Sequence, residues 1–182
     1  GRDAAMQQAR FSYILAPVIS STWHRPRNYI TISKGRQDGV RPGMGVVDHN
    51  GVVGVVNACS GHTARIVSLL NEAQPFSVKL KDTPYVGTLW WKGNDRKIAY
   101  MVEVPRHAKY HTGDTVVTSG YSTTFPAGIH VGTVMGAVRG DDDNYFTLKV
   151  RLATDFANLT AVRVIKDVRR AEIDTLAKYD LK

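Results

Sequence analysis

The chain has 182 residues, of which 43% are hydrophobic and 22% are charged, and its formal net charge is +8. These values are typical of a globular protein with one medium-sized or two small domains, and the positive charge is compatible with an anionic partner. The single cysteine excludes an intramolecular disulfide framework, and no run of about 18 apolar residues indicates a membrane helix.

Residues 4–10 consist of alanine, methionine, glutamine and arginine without a helix breaker, so residues 1–10 are predicted to be the remnant of a longer coiled-coil helix. The pattern changes at Phe11, where short segments rich in β-branched and aromatic residues begin to alternate with turn residues. Pro17 has no N–H to donate, so the first segment, residues 11–19, is predicted to be an edge strand. Further strands are predicted at residues 28–33, 45–47, 52–56, 64–70, 76–80, 85–91, 98–104, 115–118, 129–138, 145–152 and 161–165.

The Asn50-Gly51 pair is a good turn signal because both residue types tolerate positive φ. It predicts a hairpin in which residues 46–47 pair with residues 52–53. Two later segments alternate between apolar and polar residues, which predicts strands with one buried face. Their apolar faces are Ile98, Tyr100, Val102 and Val104 in the first, and Phe146, Leu148, Val150 and Leu152 in the second.

An internal similarity indicates two related units. Residues 43–47 and 51–56 resemble residues 113–117 and 128–134, with glycines at matching places, as sharp barrel corners require. We therefore predict a mainly β fold with two small six-stranded barrels, at residues 11–99 and 100–166, with the boundary left open and an exchange of strands possible. Residues 167–182 form a C-terminal tail, either a short helix or disordered.

One set of residues has the types found in a hydrolase triad. Ser119 is accompanied by His107 and Asp114, but no G-x-S-x-G elbow surrounds the serine. A hydroxyl that stabilises a turn is the favoured interpretation. We predict that the chain is not an enzyme.

Two further sets of residues have the types found in thiol or metal chemistry. Cys59 lies three residues before His62, but its apolar surroundings favour a buried, inert thiol. The segment Asp141-Asp142-Asp143-Asn144 lacks the ligand spacing of a calcium loop and favours a polar hairpin tip. The sequence therefore predicts no metal site and no cofactor.

A set of motifs runs through residues 11–166 in a fixed order. They are YILAPVI at 13–19, NYITISKG at 28–35, DGV at 38–40, PGM at 42–44, GVVGVV at 51–56 and, most specifically, GDTVVTSG at 113–120 with FPAGI at 125–129 and VGTV at 131–134. Together they resemble the periplasmic β-domain region of the MreC family of rod-shape-determining proteins. The first ten residues and the tail after residue 166 lie outside the resemblance.

The resemblance implies a non-enzymatic scaffold that organises the enzymes of peptidoglycan synthesis and so maintains rod cell shape. The implied partners are the penicillin-binding transpeptidase of elongation, MreD and other MreC copies in a dimer or filament, with MreB linked indirectly. The implied location is the periplasmic face of the inner membrane, with a single-pass anchor and most of a coiled coil upstream of this sequence.

A scaffold binds partners through exposed aromatic and charged residues, often near loops. Tyr121 and Phe125 flank the loop between Gly120 and Gly128, although Phe125 could instead plug the end of a barrel. Self-association through an exposed sheet edge is a second expected route. The candidate partner-binding residues are Tyr121, Phe125, Tyr145, Phe146, Arg25 and Arg27.

Two other functions stay open from the residues alone. A basic β-barrel that binds nucleic acid needs aromatic residues interleaved with cations on one sheet face, and only Tyr145 with Lys149 and Arg151 partly fits. A catalytically inactive relative of the trypsin-like proteases would also have two six-stranded barrels. The scaffold is favoured over both, and no nucleic-acid partner is expected.

Overall fold

The computed structural model describes residues 10–138 and 144–179. Apart from Arg10 and Asn144, the predicted helix end at residues 1–10 and the acidic segment at residues 141–144 lie outside the described residues. The elements are β1 Phe11–Ser21, β2 Arg27–Ile32, β3 Gly45–Val47, β4 Val52–Cys59, β5 Ala64–Asn71, β6 Phe76–Leu80, β7 Val86–Trp90, β8 Ile98–Pro105, β9 Thr115–Thr118, β10 His130–Val138, β11 Tyr145–Leu152, β12 Ala161–Asp167 and helix α1 Arg170–Tyr179.

The strands form two closed antiparallel barrels. Around the first barrel the order is β1, β12, β3, β4, β5 and β2, and around the second it is β10, β11, β8, β7, β6 and β9. The predicted mainly β fold with two six-stranded barrels is therefore confirmed. Closure pairs the strands all the way round, so these two sheets do not offer the open edge that was expected to drive self-association.

The boundary between the two barrels does not lie at residues 99 and 100, where it was predicted. The first barrel contains residues 11–71, the second occupies residues 76–152, and β12 then returns to close the first. All of β8 belongs to the second barrel. The return of β12 to the first barrel is the exchange of strands that the sequence left open. Local sequence pattern cannot identify the pairing of β12 with β1, because the two strands lie at opposite ends of the chain.

Pro17 marks a change of partner within one long strand, and not a sheet edge as predicted. Residues 11–17 of β1 pair with β12, whereas residues 18–21 pair with β2. Pro17 is the last residue of the first pairing, and its carbonyl oxygen accepts a hydrogen bond from the N–H of Ser33 at 3.1 Å. A residue without an N–H fits this position because the strand changes neighbours there.

The internal similarity of the sequence corresponds to equivalent hydrogen bonds in the two barrels. The N–H of Gly43 donates to the carbonyl of Val56 at 2.7 Å, and the N–H of Gly113 donates to that of Val134 at 2.8 Å. Both glycines have positive φ, at 88° and 96° respectively. Hairpins β3–β4 and β9–β10 therefore begin with the same turn, which requires glycine at the same point.

Two strand glycines allow the close approach that barrel closure needs. A Cβ at Gly54 would lie 2.1 Å from the carbonyl oxygen of Val67, and one at Gly132 would lie 2.2 Å from that of Arg151. Both carbonyls belong to the backbone, which cannot move aside as a flexible side chain could. The two positions are equivalent in the repeat, so the sequence similarity reflects a shared geometric constraint.

The predicted apolar face of β8 is wrong over most of its length. Glu103 has φ 64°, and the pairing of β8 with β11 shifts register near it. A bulge exchanges inner and outer positions, so Ala99 and Met101 face the core before it and Val104 faces the core after it. The partly exposed outer positions are Ile98, Tyr100 and Val102.

The prediction for β11 is confirmed, with Leu148, Val150 and Leu152 buried. The β3–β4 hairpin follows the prediction in part. Val47 pairs with Val52, but a register shift pairs Val46 with Gly54. The turn also depends on Asp48, whose carboxylate accepts hydrogen bonds from the backbone N–H groups of the two residues that end the turn, at 2.9 and 3.1 Å.

A single cluster of buried residues extends through both barrels. Thr154, which follows β11 in the second barrel, donates its hydroxyl hydrogen to the carbonyl oxygen of Val52 in the first, at 2.7 Å in a buried position. The two barrels therefore share apolar packing and a direct hydrogen bond.

An ion pair joins the first and last strands of the first barrel, β1 and β12. The guanidinium of Arg10 donates from Nε and an Nη atom to the two carboxylate oxygens of Asp167, at 3.0 and 2.9 Å. The Asp167 side chain is almost fully buried and also accepts from the N–H of Arg169 at 2.9 Å. This bidentate pair holds the start of β1 against the end of β12, next to helix α1.

Candidate partner-binding surfaces

The loop between β9 and β10 holds Tyr121 in an exposed position on a well-anchored base. The Thr118 hydroxyl donates to the carbonyl of Pro126 at 2.7 Å and accepts from the N–H of Ile129 at 2.9 Å. The Ser119 hydroxyl accepts from the N–H of Tyr121 at 3.3 Å. Tyr121 itself is 79% exposed, so the loop presents an aromatic ring to solvent.

Phe125, in the same loop, is only 6% exposed and lies between the barrels. Its ring centroid is 6.2 Å from that of Phe76, and its Cε1 lies 2.6 Å from where a Cβ would stand on Gly45 in β3. This placement matches the packing alternative and corrects the assignment of Phe125 to the exposed surface. A phenylalanine next to a proline in a loop was the signal for such burial.

A cleft of about 240 Å³ opens beside Phe125 at the junction of the barrels. Its walls combine apolar residues of both barrels with a rim of hydroxyl groups. The rim is ordered in part by the Ser77 and Ser119 hydroxyls, which hydrogen-bond to each other at 2.8 Å. An apolar cleft with a polar rim next to an exposed tyrosine can accept a side chain of a partner protein.

The other two aromatic candidates, at the start of β11, differ from each other. Tyr145 is 47% exposed. Phe146 is half-buried, with its ring edge-on to Tyr110 at 5.4 Å and the Arg106 guanidinium 4.7 Å from its centroid. Tyr145 is therefore available to a partner, whereas Phe146 mainly supports the barrel.

Arg25 and Arg27 are exposed at the turn that leads into β2. The buried Asn28 side chain fixes this turn, since its Nδ2 donates to the carbonyl of Arg25 at 2.7 Å and to that of Leu70 at 2.8 Å. The six predicted residues thus fall on three parts of the fold: the turn before β2, the β9–β10 loop and the start of β11.

Sequence reasoning missed an apolar stripe on the outer face of β1. Tyr13, Leu15 and Ile19 are 53%, 64% and 57% exposed, and Pro17 between them is exposed as well. Four successive outward positions are therefore apolar. The available signal was that residues 13–19 are apolar on both faces, which a strand with one solvated face does not require.

The residues of the candidate triad contact different partners. The ring of His107 packs edge-on to Tyr85 at 5.8 Å, and the Asp114 carboxylate accepts from the backbone N–H of His111 at 2.7 Å. The Ser119 hydroxyl is engaged with serine and tyrosine neighbours, as described above. This serine stabilises a turn, as the sequence interpretation favoured.

Burial raises the pKa of the Cys59 thiol, while the charges of Arg36 and Arg41 act in the opposite direction. Within residues 10–138 and 144–179, no group of three or more histidine, cysteine or acidic side chains is placed to hold a metal ion. No helix of that part of the chain is both long and apolar enough to cross a membrane.

Two small closed barrels that share a core define the fold class as a paired-barrel β protein. Residues 18–166 match the family described as "Rod shape-determining protein MreC, barrel core". The chain belongs to the MreC family.

Relatives and solved structures agree with this assignment. The "Cell shape-determining protein MreC" of Listeria monocytogenes is 30% identical over 165 residues, which cover 88% of this chain and 55% of that protein. A solved Listeria MreC structure has a TM-score of 0.81 at 25% identity and covers 91% of this chain and 84% of its own. A Helicobacter pylori structure described as a complex between penicillin-binding protein PBP2 and MreC has a TM-score of 0.66 at 18% identity, covering 88% of this chain and 99% of its own. The chain spans about half the length of the curated relatives it matches.

Proposed function

We propose that this chain is the paired-barrel part of a non-enzymatic scaffold that organises the peptidoglycan-synthesis enzymes of cell elongation and so maintains rod shape. The observation that carries the proposal is the exposed apolar stripe on β1, together with membership of a family of cell-shape-determining proteins. A double barrel with exposed apolar residues can bury them against other proteins and so hold those proteins in place. The proposed location is the periplasmic face of the inner membrane.

The β9–β10 loop is the proposed contact for the penicillin-binding transpeptidase of elongation. Its exposed Tyr121 lies beside the cleft between the barrels, which gives an aromatic anchor next to a pocket that can accept a reciprocal anchor. The Helicobacter pylori complex, in which an MreC of this fold is paired with PBP2, supports a partner of this kind. Tyr145, Arg25 and Arg27 remain proposed secondary contacts.

The apolar stripe of β1 is the proposed surface for self-association. Its outward residues alternate regularly along one strand, so two copies can pack stripe against stripe and remove apolar area from water on both sides. This replaces pairing between sheet edges, which the closed barrels do not provide. Contacts with MreD, and an indirect link to MreB, complete the proposed set of partners.

The first experiment titrates the periplasmic region of the cognate transpeptidase with this chain by calorimetry. Tyr121→Ala is expected to weaken saturable binding at least about tenfold, as loss of an interface hot spot does. Tyr179→Ala, which removes an exposed tyrosine from helix α1, is the matched control and is expected to bind normally. Equal affinity for both variants would contradict the assignment of the loop.

Self-association is measured by sedimentation over a concentration series. Leu15→Arg is expected to leave a monomer at concentrations where the unmodified chain associates, because a charge in a buried interface is costly. Leu176→Arg on helix α1, which also replaces an exposed leucine, is the control. A monomeric unmodified chain at high concentration would argue against the β1 surface.

A further inference from the structure

The outer face of the second barrel carries an aromatic and basic row across three neighbouring strands. Trp90 of β7 lies directly opposite Tyr100 of β8, which lies opposite Lys149 of β11. All three are at outward, partly exposed positions. Directly opposite residues on neighbouring strands have their Cβ atoms about 5 Å apart, so these side chains form one continuous strip.

Further cations extend the row on both sides. The Nζ atom of Lys92 lies 4.5 Å from the centroid of the Tyr100 ring. Arg151 is exposed on β11 opposite Ile98, and it lines a hollow of about 410 Å³ in which Arg96 and Lys97 outnumber the single carboxylate of Asp155. The face therefore offers flat apolar rings in the middle and several positive charges around them.

A second hollow, of about 430 Å³, adjoins the Trp90 end of the row. It is lined by Trp90, Trp91, Lys92, Glu72 and Val102. The Glu72 carboxylate lies against the Cα of Gly93, where a Cβ would come within 2.0 Å of its Oε1, and Gly93 has φ 94°. The positive φ favours a glycine at this position, and its lack of a side chain leaves room for the carboxylate. Trp91 is buried, and its indole N–H donates to the carbonyl of Asp95 at 2.8 Å, which fixes the loop that carries Lys92.

We propose that this outer face of β7, β8 and β11 binds a glycan polymer that carries carboxylates, namely the peptidoglycan strands of the cell wall. The identity of the polymer rests on the proposed function, which places the chain beside the wall. The negative face of an indole ring attracts the C–H groups of a sugar, and the Glu72 carboxylate accepts hydrogen bonds from its hydroxyl groups. Lys149, Arg151 and Lys92 pair with the acidic groups along the polymer.

Two features of the face favour a glycan over a nucleic acid. The Glu72 carboxylate, in the same hollow as the partly exposed Trp90 indole, can accept hydrogen bonds from sugar hydroxyl groups, whereas a nucleic acid carries a phosphate at every nucleotide and would bring one close to it. In addition, Lys92 already covers the Tyr100 ring, so within the row of Trp90, Tyr100 and Lys149 only the Trp90 ring is left for stacking, whereas single-strand platforms use several rings. An oligonucleotide is therefore the competing ligand in the experiment.

The test measures binding of this chain to immobilised peptidoglycan strands, solubilised by a muramidase, by interferometry. Trp90→Ala is expected to weaken binding about tenfold or more, and the double variant Lys149→Gln/Arg151→Gln about fivefold or more. The controls are Tyr179→Ala, which removes an exposed aromatic ring from helix α1, and Arg163→Gln/Lys166→Gln, which makes the same charge change at exposed positions of the first barrel. Both controls are expected to retain affinity.

The double charge variant keeps the test interpretable if Trp90→Ala misfolds, because it changes only polar groups on the outer face of the barrel. The proposal is overturned if the unmodified chain does not bind the peptidoglycan strands, or if the Trp90 and Lys149/Arg151 variants bind them as well as their controls do. It is also overturned if a poly-thymidine oligonucleotide or anionic lipid vesicles bind the chain more tightly than the peptidoglycan strands do. The same variants are titrated with the transpeptidase, whose affinity is expected to be unchanged. Failure of the unmodified chain to bind the transpeptidase would instead refute the proposed function and leave the glycan result standing.

Discussion

Phe125→Ala is the substitution that most directly tests how the barrels are joined. The ring is buried against Phe76 and Gly45, so its removal deletes contacts between the barrels and not a surface anchor. Replacing a buried phenylalanine by alanine costs about 3–5 kcal/mol. The adjoining cleft of about 240 Å³ lets water enter the new space, which places the expected loss near 3 kcal/mol.

That loss corresponds to a fall in Tm of roughly 10 °C for a chain of this size. Urea unfolding, followed by tryptophan fluorescence, gives the free energy of unfolding directly. Tyr121→Ala, in the same loop but exposed, is the control and is expected to change stability by less than about 0.5 kcal/mol. Binding by Phe125→Ala is measured at a temperature well below its Tm.

A Phe125→Ala variant that is as stable as the unmodified chain but loses transpeptidase binding would contradict the buried position of the ring. That result would put the ring on the interaction surface, as the sequence first indicated. Reduced stability with nearly normal binding by the folded fraction is the expected outcome.

Three further predictions concern the barrel and its thiol. Asp167→Asn removes the ionic partner of the Arg10 guanidinium, which is partly exposed, and chemical denaturation is expected to show a loss of about 1–3 kcal/mol. Gly54→Ala forces a Cβ onto the carbonyl of Val67, so far-UV circular dichroism is expected to show loss of the fold at a lower temperature, whereas an alanine at the open position Gly128 leaves the packing free of clashes and costs only its φ strain. The raised pKa of Cys59 keeps the thiol protonated to higher pH than in an unfolded chain, so alkylation in the native state is expected to reach half its maximal rate at a more alkaline pH than in denaturant; equal profiles would count against burial as the cause.

The sequence located the strands well because the signals involved are local. Residues 45–47, 76–80, 115–118 and 145–152 were predicted with the boundaries that the structure has. Alternation correctly identified the inner face of β11. It failed for β8 because Glu103 takes a positive φ and reverses the pattern, and a bulge of this kind depends on the neighbouring strand as much as on the residue itself.

The candidate site was predicted only in part. The exposure of Tyr121 and Tyr145 agrees with the prediction, but residue type could not distinguish Tyr121 from Phe125, four positions later in the same loop. The difference arises from the first barrel, where Gly45 leaves the space that the Phe125 ring occupies. Likewise, the Trp90, Tyr100 and Lys149 row exists only because three strands are adjacent in a particular register.

The sequence by itself determined the family, the mainly β class, the existence of two related barrels and the turns at their glycines. These follow from side-chain alternation, from φ preferences and from motifs that are read along the chain. Only the tertiary structure decided that β12 closes the first barrel around an intervening second one, which face of β1 is exposed, and where Phe125 packs. Those features depend on contacts between residues far apart in the chain, whose formation is governed by the packing of the whole core and not by any local stretch of residues.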